Sequence, residues 1–263
     1  MRKGRRAMNL SLNPSAAEGY HSHTQIARVL TESWVRDNLF CPRCGNRYIE
    51  KFPNNQPVAD FFCPNCGEQY ELKSRKGNLT SKITDGAYHT MIERITSNEN
   101  PDFLFLGDDL SAMQVVDLMV IPKYFFVPEI IEKRKPFGPN ARRAGWVGCN
   151  ILLEQIPVQG RIPIVMNRVE TPLQAVLAQV QRSSSLKKGD MASRSWLMDV
   201  LSCVNALPGE YFTLANMYAF EQTLAKKHQN NHTIKAKIRQ QLQFLRDKGY
   251  IEFLGNGQYK KLG

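Results

Sequence analysis

Long apolar runs are absent from this chain of 263 residues: none approaches the roughly 20 residues that a bilayer-spanning helix requires. An export signal is missing too, because the basic run Met1-Arg2-Lys3-Gly4-Arg5-Arg6 has no apolar stretch behind it. A soluble cytoplasmic protein with no membrane partner is the expectation, with residues 1–8 a disordered basic extension and Met8 the alternative start. No internal repeat is visible, which leaves a solenoid without support. Cysteine is scarce, six in all, and without an oxidising destination a disulfide scaffold has little support. Acidic residues are outnumbered, 24 Asp and Glu against 35 Lys and Arg, for a formal charge of +11. That excess implies an anionic partner.

Four of the six cysteines stand in two Cys-x-x-Cys knuckles, Cys41-Pro42-Arg43-Cys44-Gly45 and Cys63-Pro64-Asn65-Cys66-Gly67. Paired cysteines at this spacing present two thiolates from one tight turn, and the glycine lets backbone amides approach the sulfurs. The pattern predicts a structural zinc ribbon over residues 41–66, with a pair of disulfides as the alternative. Cys149 and Cys203 have apolar neighbours and read as buried thiols.

The second knuckle lies between two short apolar segments, residues 58–62 and 69–73, which read as a hairpin with the metal at its tip. Residues two apart on a strand share a face, so Glu71 and Lys73 point one way while Tyr70 and Leu72 point the other. Asp60 on the partner strand can join the first pair. Two carboxylates converging there form a hard oxygen site suited to magnesium, to which the carbonyl of Leu72 could add a ligand. Lys73 would then stabilise charge developing on a phosphate, or help activate the attacking water. Asp-x10-Glu-x-Lys is a weak pattern by itself, since solvent-facing strands produce it by chance. The knuckle strengthens it: Asp60 to Cys63 spans about 10 Å at most, so fixing the cysteines restrains both strands.

Elsewhere the spacing of apolar residues predicts a helix over 24–38, a helix over 85–97 in which Tyr88 and His89 pack, and strands over 103–107, 115–122 and 161–167. The fold class is mixed α/β. A Ser, Lys, Arg and Gly-rich stretch over 181–195 reads as the interdomain linker, dividing a catalytic domain (9–182) from a smaller α+β domain (183–263). The smaller part carries +6 of the +11 charge. It predicts helices over 196–207, 213–228 (Thr213 as N-cap) and 233–248, and then a hairpin turning at Gly255-Asn256-Gly257. That is a winged helix. Its third helix would enter the major groove, with His232, Thr233, Lys235, Ala236 and Arg239 as candidate DNA contacts. Either Arg239 or Gln240 could read bases, although Gln240 and Gln243 also suit an ordinary polar face. Lys260 and Lys261 on the wing suit phosphate.

These residues, with Pro57-Val58-Ala59-Asp60, Glu71-Leu72-Lys73, Lys76-Gly77-Asn78, Asp85-Gly86-Ala87-Tyr88, the run from Arg142 to Asn150 and that from Lys237 to Gln243, resemble the DpnI-like methyl-directed restriction endonucleases. The likeness covers nearly the whole chain from about Asn9. It implies a PD-(D/E)xK nuclease core, a magnesium-dependent type II activity, and cleavage of double-stranded DNA at GATC carrying N6-methyladenine. Asp60, Glu71 and Lys73 match the family's catalytic positions, and the amino-terminal extension is the main departure. Trp146, core-like by itself, becomes a candidate base contact beside Arg142 and Arg143, its indole face suited to a methyl group. A monomer is expected. The alternative is a noncatalytic methyl-DNA-binding regulator, but that protein would gain nothing from two carboxylates placed beside the phosphates.

Overall fold

The structure, a computed structural model, describes residues 7–53, 59–97, 99–187 and 189–262. The chain opens with α1 (His23–Asn38), β1 (Glu50–Lys51), β2 (Phe61–Phe62), β3 (Gln69–Lys76), β4 (Lys82–Ala87) and α2 (Tyr88–Thr96). It continues through β5 (Asp102–Asp109), β6 (Gln114–Ile121), β7 (Ile131–Lys133), β8 (Gly148–Leu152), β9 (Ile162–Met166), β10 (Val169–Glu170) and α3 (Leu173–Ser184). The carboxy-terminal part holds α4 (Met191–Ala206), β11 (Tyr211–Thr213), α5 (Leu214–Tyr218), α6 (Glu221–Lys227), α7 (Ile234–Asp247), β12 (Ile251–Gly255) and β13 (Gln258–Lys261). Among the described residues no helix is long and apolar enough to cross a membrane.

A seven-stranded sheet in the order β1-β2-β3-β5-β6-β9-β10 organises the larger part. Only β3 and β5 run parallel, because β4 and α2 carry the chain across between them. On β5, Phe103 and Phe105 enter one apolar cluster while Leu104 and Leu106 enter another, so this strand is buried on both faces. Each such ring or branched side chain contributes about 1.5–3 kcal/mol on burial. The second cluster is closed by α1, through Trp34 and Val35, and by α3, through Val176 and Val180. Over the first lie α2 and a small sheet ordered β4-β8-β7.

The expected helix over 85–97 is shorter than the sequence suggests. Residues 82–87 form β4, in which Ile83 is buried and Asp85 half-buried, and the helix begins only at Tyr88. Pairing with β8, far away in sequence, overrides the local helical spacing. Tyr88 packs on the core as expected, but His89 is exposed and pairs with Glu93. The strand expected over 58–62 reduces to Phe61–Phe62, and Val58 lies outside the described residues. So do residues 1–6 of the basic extension, whereas the Met8 amide donates to Glu170 Oε2 at 2.7 Å.

The stretch expected as a linker is mostly helical. α3 continues to Ser184 because Ser183 is buried, and α4 starts at Met191, capped by Asp190 accepting from the Ser193 amide at 2.7 Å. What connects them is short and includes buried Leu186. The helix expected over 213–228 is two: Thr213 and Asn216 form a reciprocal cap on α5, and the chain turns at Phe220 before α6. α7 stops at Gly249, whose φ of +70° suits a left-handed cap. β11, which the sequence did not suggest, completes a three-stranded sheet in the order β11-β13-β12. The first apolar cluster runs from Phe105 through Phe125 to Trp196, Leu201 and Leu245, so the two parts share a core. Ser195 donates to Glu129 at 2.9 Å across it, and Tyr124 bonds Ser183 of α3 at 2.9 Å on the larger part's side.

Candidate active site

The hairpin of β2 and β3 positions the candidate catalytic groups. Asp60 stands one residue before β2, its backbone amide donating to Tyr70 O at 3.0 Å and its Oδ2 accepting from the Leu72 amide at 2.7 Å. Glu71 and Lys73 project from the face of β3 that looks toward α2 and β4, and the Lys73 ammonium sits 2.6 Å from Glu71 Oε1. Two residues to which the sequence reading gave no role at the site complete the group. Asp85 Oδ1 on β4 lies 2.6 Å from Lys73 Nζ, and Arg94 Nη1 on α2 lies 2.8 Å from Glu71 Oε2. The signal for Asp85 was the alternation Lys82-Ile83-Thr84-Asp85; Arg94 left none, since helical spacing does not disclose which strand a helix covers.

The charges are mutually dependent. Burial raises the Asp60 carboxyl above its usual range, and the nearby charge of Glu71 adds to this, against the pull of the Leu72 amide. For Lys73 burial works downward, but Glu71 and Asp85 outweigh it and hold the ammonium above the ordinary lysine range. Burial therefore disfavours the charged form of Asp60, while Glu71 is held between the Lys73 ammonium and the Arg94 guanidinium. The donor set, two carboxylates with the Leu72 carbonyl close by in sequence, is chemically suited to a hard divalent ion.

On the opposite face of β3, Tyr70 is fully buried and its hydroxyl lies 3.1 Å from Cys41 Sγ. The sulfurs of Cys41, Cys44, Cys63 and Cys66 all lie within 4.8 Å of one another, with Cys41 to Cys66 at 3.7 Å and Cys44 to Cys63 at 3.6 Å. Tetrahedral zinc with sulfur bonds of about 2.3 Å needs separations of about 3.8 Å. The cluster therefore could hold a zinc ion, and the disulfide alternative falls because these cysteines are unbonded. Backbone amides of Arg43 and Cys44 approach the Cys41 sulfur, as the glycine-closed turns suggested. The second knuckle is also tied inward: Glu68 is buried between Arg43 at 2.8 Å and Lys123 at 2.7 Å. Cys149 and Cys203 are buried, as expected.

The candidate DNA contacts fall on two surfaces. Along α7, Ile234, Ile238, Leu242 and Leu245 are buried while Lys235, Ala236, Arg239, Gln240 and Gln243 are exposed, with His232 and Thr233 exposed just before the helix. Lys235 Nζ lies 3.3 Å from Glu221, and Arg239 donates to the Tyr218 hydroxyl at 3.2 Å. Lys260 lies near the Tyr211 ring. Lys261, half-buried on the wing, donates from its ammonium to Leu207 O at 2.5 Å, which uses one of its three donors. On the larger part, the Arg143 guanidinium stacks 4.6 Å from the half-buried Trp146 ring, which also packs on Phe137 at 4.9 Å. Gly148 lies beneath that indole, where a Cβ would come within 2.8 Å of the ring. Arg142, Arg143, Ala141 and Phe137 line a cleft of about 630 Å³.

Two family models match the chain, the Dam-replacing family over residues 8–189 and the Dam-replacing HTH domain over residues 192–261. Their junction falls between α3 and α4, and the second spans the helices and hairpin of the smaller part. The match covers both parts of the fold, including the hairpin of Asp60, Glu71 and Lys73 and the exposed face of α7, and the chain therefore belongs to the Dam-replacing family of DpnI-like, methyl-directed restriction enzymes.

Proposed function

We propose that the chain is a magnesium-dependent type II endonuclease with a PD-(D/E)xK core (residues 9–182), a zinc-stapled hairpin and a winged-helix reader (183–263), cutting double-stranded DNA at GATC that carries N6-methyladenine. The observation that carries the proposal is the gathering of Asp60, Glu71 and Lys73 at one end of a hairpin, with Asp60 close enough to feel the charge of both other groups. Asp60, Glu71 and the Leu72 carbonyl would hold the metal, which supplies a Lewis acid and a water of lowered pKa when bound. Lys73 donates to a non-bridging phosphate oxygen and offsets the negative charge that develops there. The exposed residues of α7 enter the major groove, where the exocyclic amine of adenine and its methyl group lie. Arg142, Arg143 and Trp146 form the second contact, with arginines for phosphate or guanine and an indole face for the methyl.

One plasmid, prepared with and without adenine methylation at GATC and digested with magnesium, tests this. Cleavage confined to the methylated plasmid supports it. Methyl-dependent gel shifts without cleavage would favour a noncatalytic reader, and cleavage of both plasmids would remove the methyl-reading assignments. Asp60→Asn should abolish cleavage while DNA binding is retained or improved, since a carboxylate beside phosphate opposes binding; loss of both together would refute the assignment of Asp60.

A further inference from the structure

The acidic residue on β4 belongs to a different sheet from the hairpin, yet its carboxylate meets the hairpin's lysine. Asp85 pairs with Cys149 of β8, and the register of that pair shifts between Asp85 and Ala87. A bulge of this kind re-aims a side chain and bends the strand. Here it accompanies an Asp85 carboxylate that is 11% exposed and 2.6 Å from a Lys73 ammonium that is 19% exposed. A half-buried carboxylate committed to one cation in this way is not a solvated surface charge.

We propose that Asp85 is a positioning residue for Lys73 in the cleavage reaction, a proposal that rests on the endonuclease reading above. An ammonium has three donors in no fixed arrangement, carried on a flexible four-carbon stem. Glu71 Oε1 and Asp85 Oδ1 engage two of them, which leaves one for the phosphate. The two partners are not equivalent. Glu71 is shared with Arg94, and it is also a candidate metal ligand, whereas Lys73 is the only ion-pair partner of Asp85 among the described residues. Asp85 is thus the anchor with no other duty, and it fixes the height of the ammonium above the sheet. It does not touch the reacting atoms in this arrangement; it acts through Lys73. Other charged or titratable groups near Lys73 are Asp60 before β2, Glu71 on β3, Arg94 on α2 through their shared carboxylate, and Cys149 on β8.

The test compares Asp85→Asn and Asp85→Glu with the native protein in three measurements: single-turnover cleavage of methylated DNA with magnesium, equilibrium binding of that DNA, and thermal melting. Misplacing a catalytic group in this way typically costs about 10- to 100-fold in rate. Asp85→Asn should lose about that much rate while its Kd stays within about threefold of native, and Asp85→Glu, which keeps the charge, should fall between the two. Native cleavage by Asp85→Asn, or an Asp85→Glu variant no better than Asp85→Asn, would overturn the proposal. Should Asp85→Asn not melt cooperatively, Asp85→Glu decides: slowed cleavage with native binding supports the positioning role, and a native rate overturns it. Absence of cleavage by the native protein would instead overturn the endonuclease reading on which this one stands.

Discussion

Replacing Tyr70 with Phe isolates one hydrogen bond between the hairpin and the cysteine cluster. The ring is fully buried, and its hydroxyl is 3.1 Å from Cys41 Sγ. Phenylalanine keeps the ring and its packing, so little transfer energy is lost. What goes is a hydrogen bond to a sulfur that is a thiolate when zinc is bound, a class worth about 1.5–3 kcal/mol. At 1.4 kcal/mol per tenfold, this corresponds to about 10- to 100-fold in zinc affinity, the range seen when a hydrogen bond to a metal ligand is removed. Competition against a chromogenic chelator of known affinity measures it directly, with melting at saturating zinc as a control for fold. Affinity within about twofold of native would refute the reasoning and reduce the contact to packing.

Cys63→Ser should lose zinc and cooperative melting together, because folding and metal binding share one free energy in such sites; a folded variant with full zinc content by elemental analysis would sink the staple. Lys235→Ala should weaken DNA binding about equally for methylated and unmethylated sites and reduce the salt slope by about 1, while Arg239→Ala should cost about 1–3 kcal/mol and relax base preference; a salt titration of both variants separates the two roles. Burial, with the charge of Glu68 beside it, pushes the Asp102 carboxyl up to about 7. The native state then keeps a proton that the unfolded chain releases above about 4, so stability should decline from about pH 4 to about pH 7 and level off beyond. Asp102→Asn should flatten that slope in urea melts at pH 5 and 8, and an unchanged slope would count against it.

Much of the candidate site was readable because its determinants are local. Two knuckles, an alternating strand and a glycine-closed turn each announce themselves within ten residues; the structure gathers Asp60, Glu71 and Lys73 on the hairpin those signals implied and brings the sulfurs of Cys41 and Cys44 to those of Cys63 and Cys66. The α7 stripe and the turn at Gly255 to Gly257 were legible for the same reason. Asp85 was quoted but placed on a helix, because Met91 and Ile95 extend a helical spacing backward over a strand whose partner lies more than sixty residues away. Arg94 becomes important only when α2 is laid against β3. The stretch over 181–195 misled through composition: its serines and arginines look solvated, yet Ser183 is buried against Tyr124 and Ser195 is buried and bonded to Glu129 across the junction of the two parts.

β3 carries different duties on its two faces, with Glu71 and Lys73 on one and Tyr70 reaching the cysteine sulfur on the other. A slip of one residue along a strand exchanges its faces completely. Here it would bury a carboxylate and an ammonium in the apolar cluster and withdraw the phenol from the cysteines, so faulty registers are strongly disfavoured. The knuckle therefore does more than hold two strands together: it sets the reading frame of the strand. A single-residue insertion between Cys66 and Tyr70 should be more damaging than most substitutions in the same stretch, because it offsets every later side chain at once.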